Sequence, residues 1–311
     1  MSLKNCETRV KLNTGAELPA VGLGTWQSLE NDAYKAVLTA LKTGYRHIDG
    51  AAIYCNEGEV GKAIRDSGVP RNEIFVTTKL WGTQQRTPQL ALEQSLERLG
   101  LDYVDLYLIH WPIPLNPAQC EESGNYLTFP GLPNGKRDVD LDTWNFVKTW
   151  ELMQELPATG KCKAVGVSNF SINNIKELLS SPGNKLVPAV NQIELHPLLP
   201  QVELVNFCKE KGIVVEAYSP LGGTGAAILK EPLVEELAKK YNIPAANLVV
   251  SWDVQRGVVV LPKSVTESRI ISNLQTLTLA PEDVEKITNL SKEKGEKRTC
   301  APDFSPFNTF A

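Results

Sequence analysis

The chain has 311 residues, 42% of them hydrophobic and 22% charged, with a net charge of −4; one α/β barrel domain spanning 1–311 accounts for that length and supplies a large core. Acidic and basic residues are interspersed without a basic arm or stripe, which argues against nucleic acid as a partner. No apolar run reaches the roughly 18 residues of a membrane span, and the polar start MSLKNCETRVKL lacks a signal-peptide core, so a soluble cytoplasmic protein is expected.

In chain order, residues 7–18 (ETRVKLNTGAEL) read as a β-hairpin turning at Asn13-Thr14-Gly15. AVGLG is a short buried strand, and NDAYKAVLTALKTG is a helix closed by Gly44. YRHID, ending on Asp49, is the second strand, and a helix over 56–67 follows it. EIFVTTKLW (73–81) is a strand, TPQLALEQSLERLG a helix with Pro88 in its first turn, and DYVDLYLIHWP a strand stopped by Pro112. Residues 112–141, rich in Pro, Gly and Asn, form a long excursion. LDTWNFVKTWELMQEL is a helix, KAVGVSNF a strand, and SINNIKELLSS a helix capped by Ser171. VPAVNQIELHP and IVVEAYSPLG are strands separated by the helix QVELVNFCKEKG. EPLVEELAKKY and the stretch after Pro244 are helical, GVVVLPKS is the last strand, and TESRIISN is a short helix. PEDVEKITNLSK is one more helix, and 291–311 is an irregular tail. Eight Val- and Ile-rich strands, each followed by a helix, predict a closed (β/α)8 TIM barrel with an N-terminal β-hairpin and an extra C-terminal helix and tail. Gly22-Leu23-Gly24-Thr25-Trp26-Gln27 matches only the first half of a G-x-G-x-x-G fingerprint, which supports the barrel over a doubly wound sheet.

Six cysteines at long, irregular gaps read as unpaired thiols, and the three histidines show no clustered spacing, so no metal site is expected. A barrel of this kind carries its chemistry at the carboxyl ends of its strands. There the sequence places Asp49 with Tyr54 just beyond, Lys79, His110, Ser168-Asn169, Gln192 with Glu194, Tyr218-Ser219 and Lys263-Ser264. Singly, each has an ordinary reading: a helix-capping Asp, a packing Tyr, a solvated Lys, a core His. Together, an acid, a phenol, an ammonium and an imidazole from three successive strands point to proton transfer. A phenol titrates near about 10, and a neighbouring ammonium is expected to lower that value. The acid would hold the lysine protonated, and the imidazole would orient a carbonyl oxygen. This is acid–base equipment for a carbonyl/alcohol pair, and the electrons would have to come from a nicotinamide. Lys263 and Arg269, six apart around a helix start, are spaced to grip a monophosphate such as the 2′-phosphate of NADPH.

The motifs GYRHIDGAAIY-x-NE-x-x-VG, VTTKLW, DYVDLYLIHWP, AVGVSNF, NQIELHP, AYSPLG and LPKSVTESR, in this order over the whole chain, resemble the aldo-keto reductases. WNFVKTWELMQELPATGK and KEKGEKR…SPF place the resemblance in the fungal branch of NADP-dependent glycerol dehydrogenases and broad-range carbonyl reductases. It implies NADPH/NADP+ as cofactor, a small carbonyl or alcohol as substrate, and commonly a monomer. Tyr54 would be the general acid in reduction, tuned by Asp49 and Lys79, with His110 orienting the carbonyl. Tyr218 would stack on the nicotinamide, and Ser168, Asn169 and Gln192 would hold its carboxamide. Gly24, Thr25 and Trp26 would border it, with Asp49 beneath. Ser219 and Leu221 would meet the pyrophosphate. Lys263, Ser264, Val265, Thr266 and Arg269 would take the 2′-phosphate, with Asn273 near the adenine. Trp26, Trp81 and Trp111, with His110, would wall the substrate pocket. The loop GGTGAAILKEP is short and has no acidic residue until Glu231, so no long acidic clasp over the cofactor is implied. Two alternatives use the same barrel: a Schiff-base aldolase with Lys79 as nucleophile, and a non-catalytic nucleotide-binding or structural protein.

Overall fold

The computed structural model describes residues 2–28 and 31–310. Two short antiparallel elements come first: β1 (Lys4–Asn5), and the hairpin of β2 (Arg9–Lys11) and β3 (Glu17–Pro19). Barrel units then alternate: β4 (Leu23–Gly24) and α1 (Asp32–Thr43), β5 (His47–Asp49) and α2 (Glu57–Asp66), β6 (Phe75–Leu80) and α3 (Pro88–Leu99). β7 (Val104–Ile109) leads through α4 (Ala118–Ser123) to α5 (Phe146–Met153). The remaining units are β8 (Cys162–Ser168) with α6 (Ile172–Ser180), β9 (Val190–Glu194) with α7 (Val202–Glu210), and β10 (Val214–Tyr218) with α8 (Pro232–Tyr241) and α9 (Ala245–Gln255). β11 (Val259–Leu261), α10 (Glu267–Asn273), β12 (Gln275–Thr276) and α11 (Pro281–Lys294) finish the chain ahead of the tail.

Strands β4 to β11 form one parallel sheet whose spatial order is their sequence order. Parallel bridges Val21–Val260 and Gly24–Lys263 bring its two ends together and close the barrel predicted from eight β/α units. The seam depends on Gly22, since a Cβ there would lie 2.6 Å from Nδ1 of His47 and 2.7 Å from a Leu261 methyl. β6 and β7 are buried at every residue, as strands covered by helices outside and side chains inside must be. The β2–β3 hairpin packs Leu12 and Leu18 on Phe75, Val190 and Val259, near the amino ends of their strands, and so plugs the floor opposite the mouth. The larger core lies between sheet and helices, around Trp150 and Trp252.

Local signals explain most boundaries. Gly44 ends α1 at φ 113°, a conformation costly for residues with a Cβ. Ser171 caps α6 in a reciprocal box with Asn174. Three features differ from the sequence expectation. The second strand is confined to His47–Asp49, because the Tyr45 backbone N–H is spent on closing α1, donating to Ala40 O at 2.9 Å. The helix expected from residue 141 begins at Phe146, where the Asn145 side chain accepts from Lys148 N. The hydrophobic pattern also gave no sign of the β1–β12 pairing, in which Lys4 meets Thr276 and Asn5 meets Gln275.

Candidate active site

Lys79 is completely buried inside the barrel. Its three ammonium protons are all used, with Nζ 2.8 Å from each carboxylate oxygen of Asp49 and 2.8 Å from Gly50 O. Burial alone would lower its pKa, but Asp49, then Tyr54, outweigh it and the net shift is upward. A lysine so paired stays an ammonium and has no lone pair for a Schiff base, which removes the aldolase alternative.

Tyr54 ends a single 3-10 turn, Ala52–Tyr54, which Cys55 closes in the left-handed region at φ 57°. Its ring centroid lies 5.3 Å from Lys79 Nζ and 5.8 Å from the His110 ring, edge-on. Lys79 does pull the phenol pKa down as expected, but it does not set the net shift. Burial pushes it up, Lys79 pulls it down, Asp49 pushes it up again, and the net shift is upward. The phenol therefore stands protonated at neutral pH, the state a proton donor needs. Burial, then Lys79, drives the His110 pKa well below the ordinary imidazole range, so its ring is neutral. His110 Nδ1 is buried without a hydrogen-bond partner. Trp81 meets the imidazole edge-on at 5.4 Å and Trp111 lies nearly parallel to it at 6.5 Å. The Trp81 indole is itself fixed by donating to Thr128 O at 2.7 Å.

Beside this set, the ends of β8, β9 and β10 make a polar shelf. Tyr218 donates to Asn169 Oδ1 at 2.8 Å, Asn169 Nδ2 donates to His110 O at 2.9 Å, and Ser168 Oγ donates to Gln192 O at 2.8 Å. Asn169 and Ser219 sit at φ 64° and 50°, left-handed conformations that cluster where function over-determines the backbone. Gln192 commits its amide donor to Asp49 at 2.8 Å and Glu216 at 2.7 Å, which leaves its carbonyl oxygen to accept from a ligand. These residues fit a nicotinamide. The tethered Tyr218 ring is half-buried at the mouth, and an amide acceptor lies next to it. Across the seam, Lys263 donates to Gln27 O at 3.2 Å and pairs with Gly24, so the turn carrying Gly24, Thr25 and the half-exposed Trp26 meets the start of the Lys263–Asn273 segment. Lys263, Val265, Thr266 and Arg269 are exposed, Ser264 and Asn273 are buried, and Ser219 and Leu221 are half-buried. The following helix, α10, is only seven residues long, so the two side-chain cations rather than a helix dipole supply the positive charge there.

The sequence reading passed over three groups. Glu216 and His47 lie inside the barrel below Asp49, with His47 Nε2 3.8 Å from Glu216 Oε1 and neither atom hydrogen-bonded. Burial, reinforced by Asp49, raises Glu216 to about 8, while burial lowers His47 to about 4. An acid in the middle of the buried run VVEAY was the available signal. The third group is the tail. Thr299 N and Oγ1 and Cys300 N donate to the buried Glu194 carboxylate at 2.6, 2.6 and 2.9 Å, pinning residues 299–300 to the end of β9.

Glu216 gives a pH prediction. A glutamate titrates near 4.5 when unperturbed and near 8 here. Between those values the folded state keeps a proton that the unfolded state has released, so stability falls as pH rises through the window. Glu216→Gln should flatten the decline of Tm between about pH 5 and about pH 8. An unchanged slope would show that Glu216 ionises normally.

Residues 20–292 match the aldo/keto reductase family, and the chain belongs to it. It is an oxidoreductase of that family. Over 301 residues it is 67% identical to glycerol 2-dehydrogenase (NADP(+)) of Saccharomyces cerevisiae, covering 97% of this chain and 96% of that one. It is 61% identical over 309 residues to aldehyde reductase YPR1 of the same yeast, covering 99% of each. The structure of the aldose reductase from Schistosoma japonicum superposes with a TM-score of 0.85 at 35% identity, covering 94% of both chains. Among the described residues, no helix is long and apolar enough to cross a membrane.

Proposed function

We propose that this protein reduces small aldehydes and ketones to alcohols, with the reverse oxidation open to glycerol-like polyols, and that Tyr54 is its proton donor. The observation that carries the reading is the Asp49–Lys79 pair, buried and fully hydrogen-bonded beneath a protonated Tyr54 that faces a neutral His110. NADPH, when bound, supplies the hydride to the carbonyl carbon. Tyr54 gives its hydroxyl proton to the carbonyl oxygen, and the Lys79 ammonium stabilises the phenolate that remains. His110, neutral and wedged between Trp81 and Trp111, fixes the direction from which the oxygen reaches the phenol. Gln192, Ser168 and Asn169 orient the carboxamide end of the cofactor, and Tyr218 packs on its ring. Loss of NADPH absorbance with glyceraldehyde, matched by formation of glycerol, tests the reading; NADPH binding without turnover of any carbonyl would favour a non-catalytic protein instead.

Lys263 and Arg269 are the residues to take the 2′-phosphate. Arg269→Ala is expected to raise KM for NADPH by about tenfold or more, the loss of one charged hydrogen-bonding group, and to change KM for NADH little. Equal losses for both cofactors would remove Arg269 from this role. The reading also includes a monomeric, cytoplasmic enzyme. All six cysteines are free, which suits a reducing compartment, and sedimentation of the purified protein tests the monomer.

A further inference from the structure

Arg137 lies where the long loop after β7 meets the tail. An antiparallel bridge to Gly131, with Leu132 N donating to Lys136 O at 2.8 Å and Asp138 N to Pro130 O at 2.9 Å, fixes it at the base of a tight turn. Its guanidinium carbon is 4.4 Å from the ring centroid of Phe129 and 4.9 Å from that of Phe304. These rings are the outer neighbours of the two pocket tryptophans: Phe129 meets Trp81 at 4.8 Å, and Phe304 meets Trp111 at 5.4 Å. The guanidinium is thus held one aromatic layer outside the walls that flank His110.

Its missing counter-charge separates it from similar arginines in this chain. Arg71, Arg86, Arg256 and Arg298 also stack on aromatic rings. Each of those four has a carboxylate within 4.0 Å: Asp105, Asp140, Asp253 and Glu194 respectively. Arg137 has none among the described residues, and its Nη1 is buried without a hydrogen-bond partner. Asp303 acts on it only through its field, and the Asp303 carboxylate is already engaged by Ser305 N at 2.8 Å. Stacking on aromatic faces holds a guanidinium in place but leaves its in-plane N–H fork unpaired, and that fork matches a planar carboxylate.

We propose that Arg137 is a recognition site for a carboxylate borne by the substrate at the end away from the reacting carbonyl, so that the pocket favours acid-bearing aldehydes over their neutral counterparts. The inference rests on the carbonyl-reductase reading above. The test compares, with NADPH, 3- and 4-carboxybenzaldehyde against the corresponding formylbenzamides, which differ chiefly in charge. In the unaltered enzyme at least one acid should exceed its amide in kcat/KM by about tenfold, the range of a charge-assisted hydrogen bond, and high salt should shrink that preference. Arg137→Met should abolish the acid-to-amide ratio, and Arg137→Lys should keep part of it. Acid and amide reduced equally by the unaltered enzyme, or lost in the same proportion in both variants, would overturn the inference and leave Arg137 as packing between Phe129 and Phe304. Absence of turnover with all four compounds would instead overturn the reading on which it rests. Should Arg137→Met fail to fold, Arg137→Lys and the salt dependence still decide.

Discussion

Tyr54→Phe is expected to lower kcat/KM for aldehyde reduction by about 10²–10⁴-fold, the contribution of a positioned proton donor, while leaving NADPH affinity in place. The substitution removes one hydroxyl and keeps the ring that packs against His110 at 5.8 Å and near Lys79 Nζ at 5.3 Å. The pocket therefore keeps its ring packing, and the loss should fall on kcat rather than on cofactor binding. The pH profile adds a second test. With its donor intact, the reduction rate should hold through neutrality and fall only in alkali, because burial keeps the phenol protonated. In the phenylalanine variant, what activity remains should lose that alkaline limb. A variant retaining the full rate would remove Tyr54 from the donor's role and turn attention to His110, which meets both pocket tryptophans.

Lys79→Met is expected to cost both turnover and stability. It leaves the Asp49 carboxylate buried against Gln192 without its cation. Breaking a buried pair from one side typically costs about 3–5 kcal/mol, which urea titration would show as a fall in the midpoint at unchanged slope. The double variant Asp49→Asn/Lys79→Met removes both charges and should recover much of that stability without recovering activity. Recovery of both would mean the pair serves the fold alone. No loss of stability in the single variant would mean that Asp49 takes up a proton when its partner is removed.

What the sequence made legible were ionisable residues at strand ends: Asp49 after RHI, Lys79 after FVTT, His110 after LYLI. An apolar strand that ends on a charge has few structural uses, and eight strand–helix units in order specify a barrel whose mouth collects such ends. Glu216 and His47 were hidden because the strands of a closed barrel are buried on both faces. Alternation there does not distinguish the outer wall, under helices, from the lumen, where a buried acid meets Asp49. The direction of the Tyr54 shift was hidden for another reason. It is set by how many atoms crowd the phenol, and sequence spacing carries only the charges. Arg137 and Phe304 are far apart in the chain and lie in segments without periodicity, so their contact follows from the route of the loop and tail over the mouth.

The seam that closes the barrel also sets a schedule for the nascent chain. Gly24 cannot acquire its partner Lys263 until the intervening β/α units have been made, and β1 must wait still longer for Gln275 and Thr276. At about 5–20 residues per second, that leaves the first strand's outer edge without its mate for roughly ten seconds to a minute during synthesis. During that time the growing sheet has an open side of the kind that invites pairing with other chains. The ring therefore forms late, and any catalytic competence that depends on the Gly24–Lys263 junction is acquired only after Lys263 has left the ribosome.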